Sequence, residues 1–109
     1  MKDSRLHIAY LVSTLGRSGP TRQLLYLIRH LDPEHFRVTL ITLSPEPPDS
    51  LIDTFTHLGI EIRCLTNKKT NNLLLIRKRL VSLFGEVKPD LLHTQGVRAD
   101  FFGALLGLE

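Results

Sequence analysis

Residues 6–31 of the chain read LHIAYLVSTLGRSGPTRQLLYLIRHL, and this stretch decides the fold. Leu6 to Val12 is a short apolar run that suits a buried strand. The loop that follows holds two glycines and ends at Pro20, whose fixed φ is favourable in the first turn of a helix. Leucine and isoleucine then recur at helical spacing as far as Leu31. The stretch therefore predicts a strand, a glycine-bearing loop and a helix.

The remainder of the chain repeats this alternation of strand and helix. Asp32-Pro33 is expected to end the first helix and Gly59 the second, which Asp49 or Ser50 can cap. Further strands are predicted over 36–43, 59–65 and 91–93, and further helices over about 50–58, 73–87 and 97–108. Alternating strands and helices imply parallel βαβ units. The fold class predicted is α/β, an open parallel Rossmann-like sheet with helices on both faces, in one domain over 1–109.

Length and composition limit the classes of protein to which this chain can belong. A length of 109 residues suffices for one domain but is short for a complete enzyme of this architecture. The net charge of +3 is too small to argue for nucleic acid as a partner. The charged start and the lack of any apolar run near ~20 residues predict a cytoplasmic protein without a signal peptide or membrane span. The five histidines show no metal-ligand spacing, so no metal is expected.

A ligand site is predicted at one edge of the sheet. In open doubly wound sheets, ligands bind beyond the carboxyl ends of the strands, where the strand order reverses. The usual order places strand one beside strand four, with strands two and three on the far side of strand one. The loops over 13–20 and 94–97 would then meet, although they are distant in sequence.

The first of these loops contains Gly16, Arg17, Ser18 and Gly19. Glycines allow the backbone to approach a ligand, and the helix N-terminus behind them attracts anions such as phosphate or carboxylate. The loop is not Gly-x-Gly-x-x-Gly and lacks the lysine of a nucleoside-triphosphate loop. An ordinary strand-to-helix turn is the alternative.

The second loop contains His93, Thr94, Gln95 and Gly96. We expect His93 to end the fourth strand, where a histidine can bond to hydroxyl groups or shuttle a proton. A partly buried histidine bonded to the backbone is the alternative. Thr94 and Gln95 are suited to sugar hydroxyls.

A basic segment surrounds the third long helix. Seven basic residues and one acid lie between residues 63 and 88. Lys68 and Lys69 precede the helix, which carries Arg77, Lys78 and Arg79. A basic amphipathic helix can rest on an anionic membrane surface. A helix packed on the core with a solvated charged face is the alternative.

Three segments together resemble a known family. They are residues 8–19, residues 23–38, and residues 88–103, which begin KPDLLHTQG and continue RADFFG. In order and spacing they resemble the N-terminal domain of glycosyltransferase family 4, a retaining family with the GT-B fold. The resemblance covers nearly the whole chain.

The resemblance implies transfer of a sugar from a nucleotide-sugar donor to a sugar or lipid-linked acceptor in polysaccharide or glycolipid synthesis, without a metal ion or other cofactor. Gly16, Arg17, Ser18 and Gly19 then correspond to a loop that reaches the donor diphosphate. His93, Thr94, Gln95 and Gly96 correspond to a loop on the acceptor side. No nucleic acid is implied, and contact with the inner membrane face is compatible with lipid-linked acceptors.

Two departures from the family pattern bear on function. The family commonly has an acid soon after the glycine pair, whereas residues 18–21 here are Ser-Gly-Pro-Thr. The family's later catalytic histidine and its C-terminal donor-binding domain have no counterpart in 109 residues, so we expect this chain alone to be inactive.

Two other classes of protein stay open. A different Rossmann-like nucleotide-sugar enzyme, an epimerase or dehydrogenase, would need a dinucleotide fingerprint and an acid ending strand two, which Leu43-Ser44 does not supply. The other class is a non-catalytic flavodoxin-like binding or signalling domain. A receiver version of it would need clustered aspartates at the strand ends, and the sequence has none there.

Overall fold

The computed structural model describes residues 5–65 and 72–95. In chain order the elements are β1 (Leu6–Val12), α1 (Gly19–Arg29), β2 (Phe36–Thr42), α2 (Ile52–Thr56), β3 (Glu61–Cys64), α3 (Leu73–Val87) and β4 (Leu91–Gln95). The helix predicted over 97–108 lies outside the described residues. Every other predicted element is present, with the boundary differences given below.

The four described strands form one parallel sheet in the order β3-β2-β1-β4. This is the order predicted for a doubly wound sheet. The register pairs Ile8 with Leu91 and Val12 with Gln95, so β1 and β4 end level with each other. The carboxyl ends of these two strands therefore lie at the same edge of the sheet.

Helices cover both faces of the sheet. Alternate residues of a strand point to opposite faces. Tyr10 and Val12 of β1 pack towards α1 and α2, whereas Ala9 and Leu11 pack towards α3. The predicted class, an open parallel α/β sheet with helices on both faces, is confirmed.

The first helix is well capped at its start and ends earlier than predicted. The Ser18 hydroxyl accepts a hydrogen bond from the Thr21 N–H at 3.3 Å, and Pro20 lies in the first turn. The last helical residue is Arg29, because Asp32 forms a turn of its own. The Asp32 carboxylate accepts the N–H of Glu34 at 2.9 Å and contacts His35 Nδ1 at 2.6 Å. These two bonds lower the pKa of Asp32.

Other boundaries also differ from the prediction, and β2, α2 and β3 each end one or two residues early. Helix α2 begins at Ile52, where Leu51 is the N-cap residue and the Ser50 hydroxyl accepts the Ile52 N–H at 3.0 Å. Strand β3 begins at Glu61 rather than Gly59, because Gly59 adopts a left-handed φ of 76°. Strand β4 runs beyond His93 to Gln95, because its pairing with β1 continues to the last residue of that strand.

Reciprocal hydrogen bonds fasten the start of β4 to β1. The carboxylate of Asp90 accepts the N–H of His7 at 2.8 Å, and the N–H of Asp90 donates to the carbonyl of His7 at 2.7 Å. The buried ring of His7 contacts the hydroxyl of Thr39 on β2 at 2.7 Å. Polar contacts thus hold these three strands in register at the end opposite the predicted site.

Candidate functional site

A cavity of about 510 Å³ lies at the carboxyl ends of β1 and β4, beside the N-terminus of α1. Much of its lining is polar. The polar residues that line it are Ser13, Thr14, Arg17, Ser18, Thr21, Gln23, Asp49 and Gln95. A cavity of this size is within the range that holds a small molecule.

The two predicted loops meet at this cavity. The side-chain amide of Gln95 donates a hydrogen bond to the carbonyl of Pro20 at 3.0 Å. Gly16, Arg17 and Ser18 line the same cavity as Gln95. The expected meeting at one edge of the sheet is therefore confirmed for Gln95 and the first loop, while residues 96 and 97 lie outside the described residues and the roles toward a substrate stay predictions.

The start of α1 and Arg17 contribute positive charge to this cavity, whose lining also holds the carboxylate of Asp49. Backbone N–H groups at a helix N-terminus carry a partial positive charge and bind anions. The described first turn of α1 contains no acidic residue that would offset this charge. Arg17, which is exposed, adds a full positive charge at the cavity wall.

The glycines of the loop differ in what the protein requires of them. Among the described glycines, only Gly59 has a left-handed φ, so neither Gly16 nor Gly19 is required by backbone conformation. A Cβ at Gly16 would lie 3.3 Å from Thr14 Oγ1 and 3.4 Å from Pro47 Cγ. A Cβ at Gly19 would meet nothing within 4 Å. The space around Gly19 is thus open, and Gly19 is not among the residues that line the cavity.

The residues predicted on the acceptor side are not all at the cavity. His93 lies within β4, exposed, with its ring 5.0 Å from the ring of Tyr10. Thr94 pairs with Leu11 and so belongs to the α3 side of the sheet. Of the three described residues in this group, Gln95 is the one that lines the cavity, and Gly96 lies outside the described residues.

The segment between β2 and α2 supplies two site residues that the sequence did not reveal. Asp49, one of the two residues expected to cap α2, lines the cavity, while the other, Ser50, accepts the Ile52 N–H. Glu46 binds the glycine loop: its two carboxylate oxygens accept the N–H of Leu15 at 2.7 and 2.9 Å. Burial raises the pKa of Glu46, against the lowering effect of its bonds from Leu15 and Ser50. The sequence held one signal for these two residues, which is their position after β2. Polar residues that follow β2 lie at the same edge of the sheet as those that follow β1.

The predicted basic helix packs on the core and also exposes apolar side chains. Ile76 and Leu80 of α3 are fully buried, while Leu74 is 81% and Val81 42% exposed. Lys78 and Arg79 are exposed, and Arg79 donates to the carbonyl of Leu65 at 3.4 Å. Arg77 is half-buried and Lys68 and Lys69 lie outside the described residues. A membrane role for this group stays a prediction.

Two kinds of feature are missing from the part of the chain that the structure describes. No described helix has the length and apolar content to cross a membrane. No three His, Cys, Asp or Glu side chains within 5–65 and 72–95 converge so that they could hold a metal ion.

Comparison with known proteins gives one positive result. No curated protein and no solved structure matches the chain significantly. The family model described as Glycosyltransferase Family 4 matches residues 17–109, which is most of the chain and includes Arg17, the start of α1 and all of β4. With a parallel Rossmann-like sheet and a cavity at the carboxyl ends of its strands, the chain belongs to glycosyltransferase family 4.

Proposed function

We propose that this chain is the acceptor-side domain of a retaining, nucleotide-sugar-dependent glycosyltransferase of polysaccharide or glycolipid synthesis. Membership of the family supports sugar transfer in general. The observation that carries the proposal is the single cavity shared by Arg17 and Ser18 of the glycine loop, by Asp49 and by Gln95.

The cavity groups suit two parts of a sugar-transfer reaction. Departure of a nucleoside diphosphate builds negative charge, which fixed positive groups stabilise. The N-terminus of α1 and the Arg17 guanidinium are such groups. The amide of Gln95 and the carboxylate of Asp49 can hydrogen-bond to sugar hydroxyls, since a carboxylate accepts and an amide both accepts and donates.

The proposed role of this domain is binding and orientation. Transfer needs donor and acceptor held together in a reactive geometry. In the proposed enzyme a second domain faces this cavity and holds the donor nucleotide. We therefore expect the domain alone to bind fragments of the substrates without turning them over.

Titration of the ¹⁵N-labelled protein with inorganic pyrophosphate tests the anion site. We expect the amide signals of Gly16, Ser18 and Thr21 to shift. Arg17→Ala removes a charge-assisted hydrogen bond worth about 1.5–3 kcal/mol, so affinity should fall about tenfold or more. Arg29→Ala is the matched control, because Arg29 lies in the last turn of the same helix.

Two results would contradict the proposal. One is the absence of any shift in the glycine loop, and the other is an equal loss of affinity in both arginine variants. A panel of nucleotide sugars and NAD separates the classes of enzyme. Shifts with NAD, but none with nucleotide sugars, would favour the epimerase or dehydrogenase alternative.

We also propose that the exposed face of α3 touches an anionic membrane surface. Leu74, Lys78 and Val81 are spaced four and three residues apart, so they lie on one side of the helix. All three are exposed, and Leu74 is the most exposed large apolar residue of the described chain. An apolar stripe with a cation suits the interface between headgroups and acyl chains.

Co-sedimentation with vesicles checks this contact. We expect the protein to sediment with vesicles containing anionic lipid and far less with neutral ones. Leu74→Ser should weaken binding about threefold to tenfold, since part of a leucine side chain no longer enters the lipid. Leu27→Ser, a change at an exposed leucine of α1, is the control. Equal partitioning into both kinds of vesicle would end the membrane proposal.

A further inference from the structure

The glycine loop is held by a carboxylate from another part of the chain. No acid lies between Ser13 and Arg22, so the loop has none of its own. Glu46, from the segment after β2, accepts the N–H of Leu15 with both oxygens at 2.7 and 2.9 Å. Its side chain also hydrogen-bonds with Ser50.

Leu15 is fixed on both sides of its α-carbon. The bond to Glu46 fixes the peptide plane that precedes Leu15. The carbonyl of Leu15 accepts the N–H of Leu51 at 2.8 Å, which fixes the plane that follows. Its side chain is fully buried in the core on the α1 face. The direction in which the chain enters Gly16 is therefore set by groups of the β2–α2 segment.

We infer that Glu46 is a positioning residue of the site: through the Leu15 amide it sets the path of residues 16–18 along the cavity wall. This inference rests on the proposed function, in which those residues bind the diphosphate. Glu46 acts on the site indirectly, because it bonds to Leu15 and does not line the cavity itself.

The chemistry of the half-buried Glu46 carboxylate separates its two effects. As a hydrogen-bond acceptor, Glu46 holds the loop in place. As an anion close behind an anion site, it opposes the binding of phosphate groups. A neutral acceptor of the same shape should keep the first effect and remove the second. Glutamine meets that description, because its side-chain carbonyl accepts a hydrogen bond and its side chain carries no charge.

The test compares Glu46→Gln and Glu46→Ala by hydrogen exchange and by pyrophosphate affinity. In Glu46→Ala we expect exchange at the Leu15 amide to accelerate about tenfold to a hundredfold, since a bond to a charged group is lost. Pyrophosphate affinity should fall about threefold or more with it. In Glu46→Gln, protection of Leu15 should stay within about threefold of the unaltered protein, and affinity should be equal or higher.

Two controls separate local from general effects. Glu34→Ala makes the same change of charge at an exposed site and should alter neither measurement. The amide of Leu40, in the fully buried part of β2, reports global stability. If Glu46→Ala does not fold, Glu46→Asp takes its place, because the shorter side chain draws the carboxylate away from Leu15.

The outcomes distinguish this inference from the proposed function. Unchanged exchange at Leu15 in Glu46→Ala would overturn the inference, and so would a glutamine variant that loses protection as alanine does. Failure of the unaltered protein to bind pyrophosphate would overturn the proposed anion site instead, while the exchange comparison at Leu15 still decides whether Glu46 holds the loop.

Discussion

Replacing Phe55 with alanine is expected to lower the free energy of unfolding by about 3–5 kcal/mol, a large part of the stability of a small domain. Phe55 is fully buried and is the buried residue of α2. It belongs to the same core cluster as Leu15 and Leu40. A five-residue helix is not stable alone, so the packing of this ring holds α2 on the sheet.

The substitution should also disturb the site. The N-cap residue of α2, Leu51, donates to the carbonyl of Leu15. When α2 loosens, one of the two bonds that fix Leu15 is lost, and the glycine loop gains freedom. Faster amide exchange at Gly16 and Ser18 should therefore accompany the loss of stability.

Urea denaturation followed by circular dichroism measures the effect of the Phe55 substitution. Phe55→Leu is the graded control: it keeps most of the apolar volume and should cost about 1–2 kcal/mol. A loss below about 1 kcal/mol for Phe55→Ala would show that α2 does not depend on this ring.

Replacing Asp90 with alanine is expected to cost about 1–3 kcal/mol and to loosen β4. The carboxylate of Asp90 accepts the N–H of His7, and alanine leaves that donor without its partner. Within the described residues β4 pairs with β1 alone, so its register depends on few contacts. Gln95, at the far end of β4, should then hold Pro20 less well.

Asp90→Asn is the matched variant, because its side-chain carbonyl can still accept the N–H of His7. Amide exchange along β4 and the signal of the Gln95 side-chain amide give the local readout, and urea denaturation gives the global one. If alanine and asparagine behave alike in all three, the bond to His7 does not secure β4.

The alternation of strand and helix was predictable because its signals are local. The apolar run Leu6–Val12 and the helical spacing of leucines after Pro20 identify β1 and α1 directly. The strand order was also predictable, since doubly wound sheets usually place strand one beside strand four. The boundaries of the elements were less predictable: Asp32 ends α1 early through a local turn with Glu34 and His35, and the helical spacing of apolar residues does not reveal that turn.

The candidate site was predictable at the level of its loops. Because β1 and β4 are neighbours, their carboxyl ends had to lie together, and Gln95 at the end of β4 does contact Pro20. The residue at which β4 ends, and so the distance of each of its residues from the cavity, was not predictable from the sequence pattern. Two further residues of β4 pair with β1 beyond His93. The His93 ring therefore lies beside Tyr10 within the strand and not at the cavity.

The sequence by itself determined the class of fold, the edge of the sheet at which a ligand is expected and the resemblance to glycosyltransferase family 4, because each of these depends on local periodicity and on the order of motifs. The tertiary structure alone decided that Glu46 holds Leu15 and that Asp49 faces the cavity. Those contacts join residues about thirty positions apart, and their geometry follows from the way α2 packs on the sheet through Phe55. No short-range pattern in the chain encodes that packing.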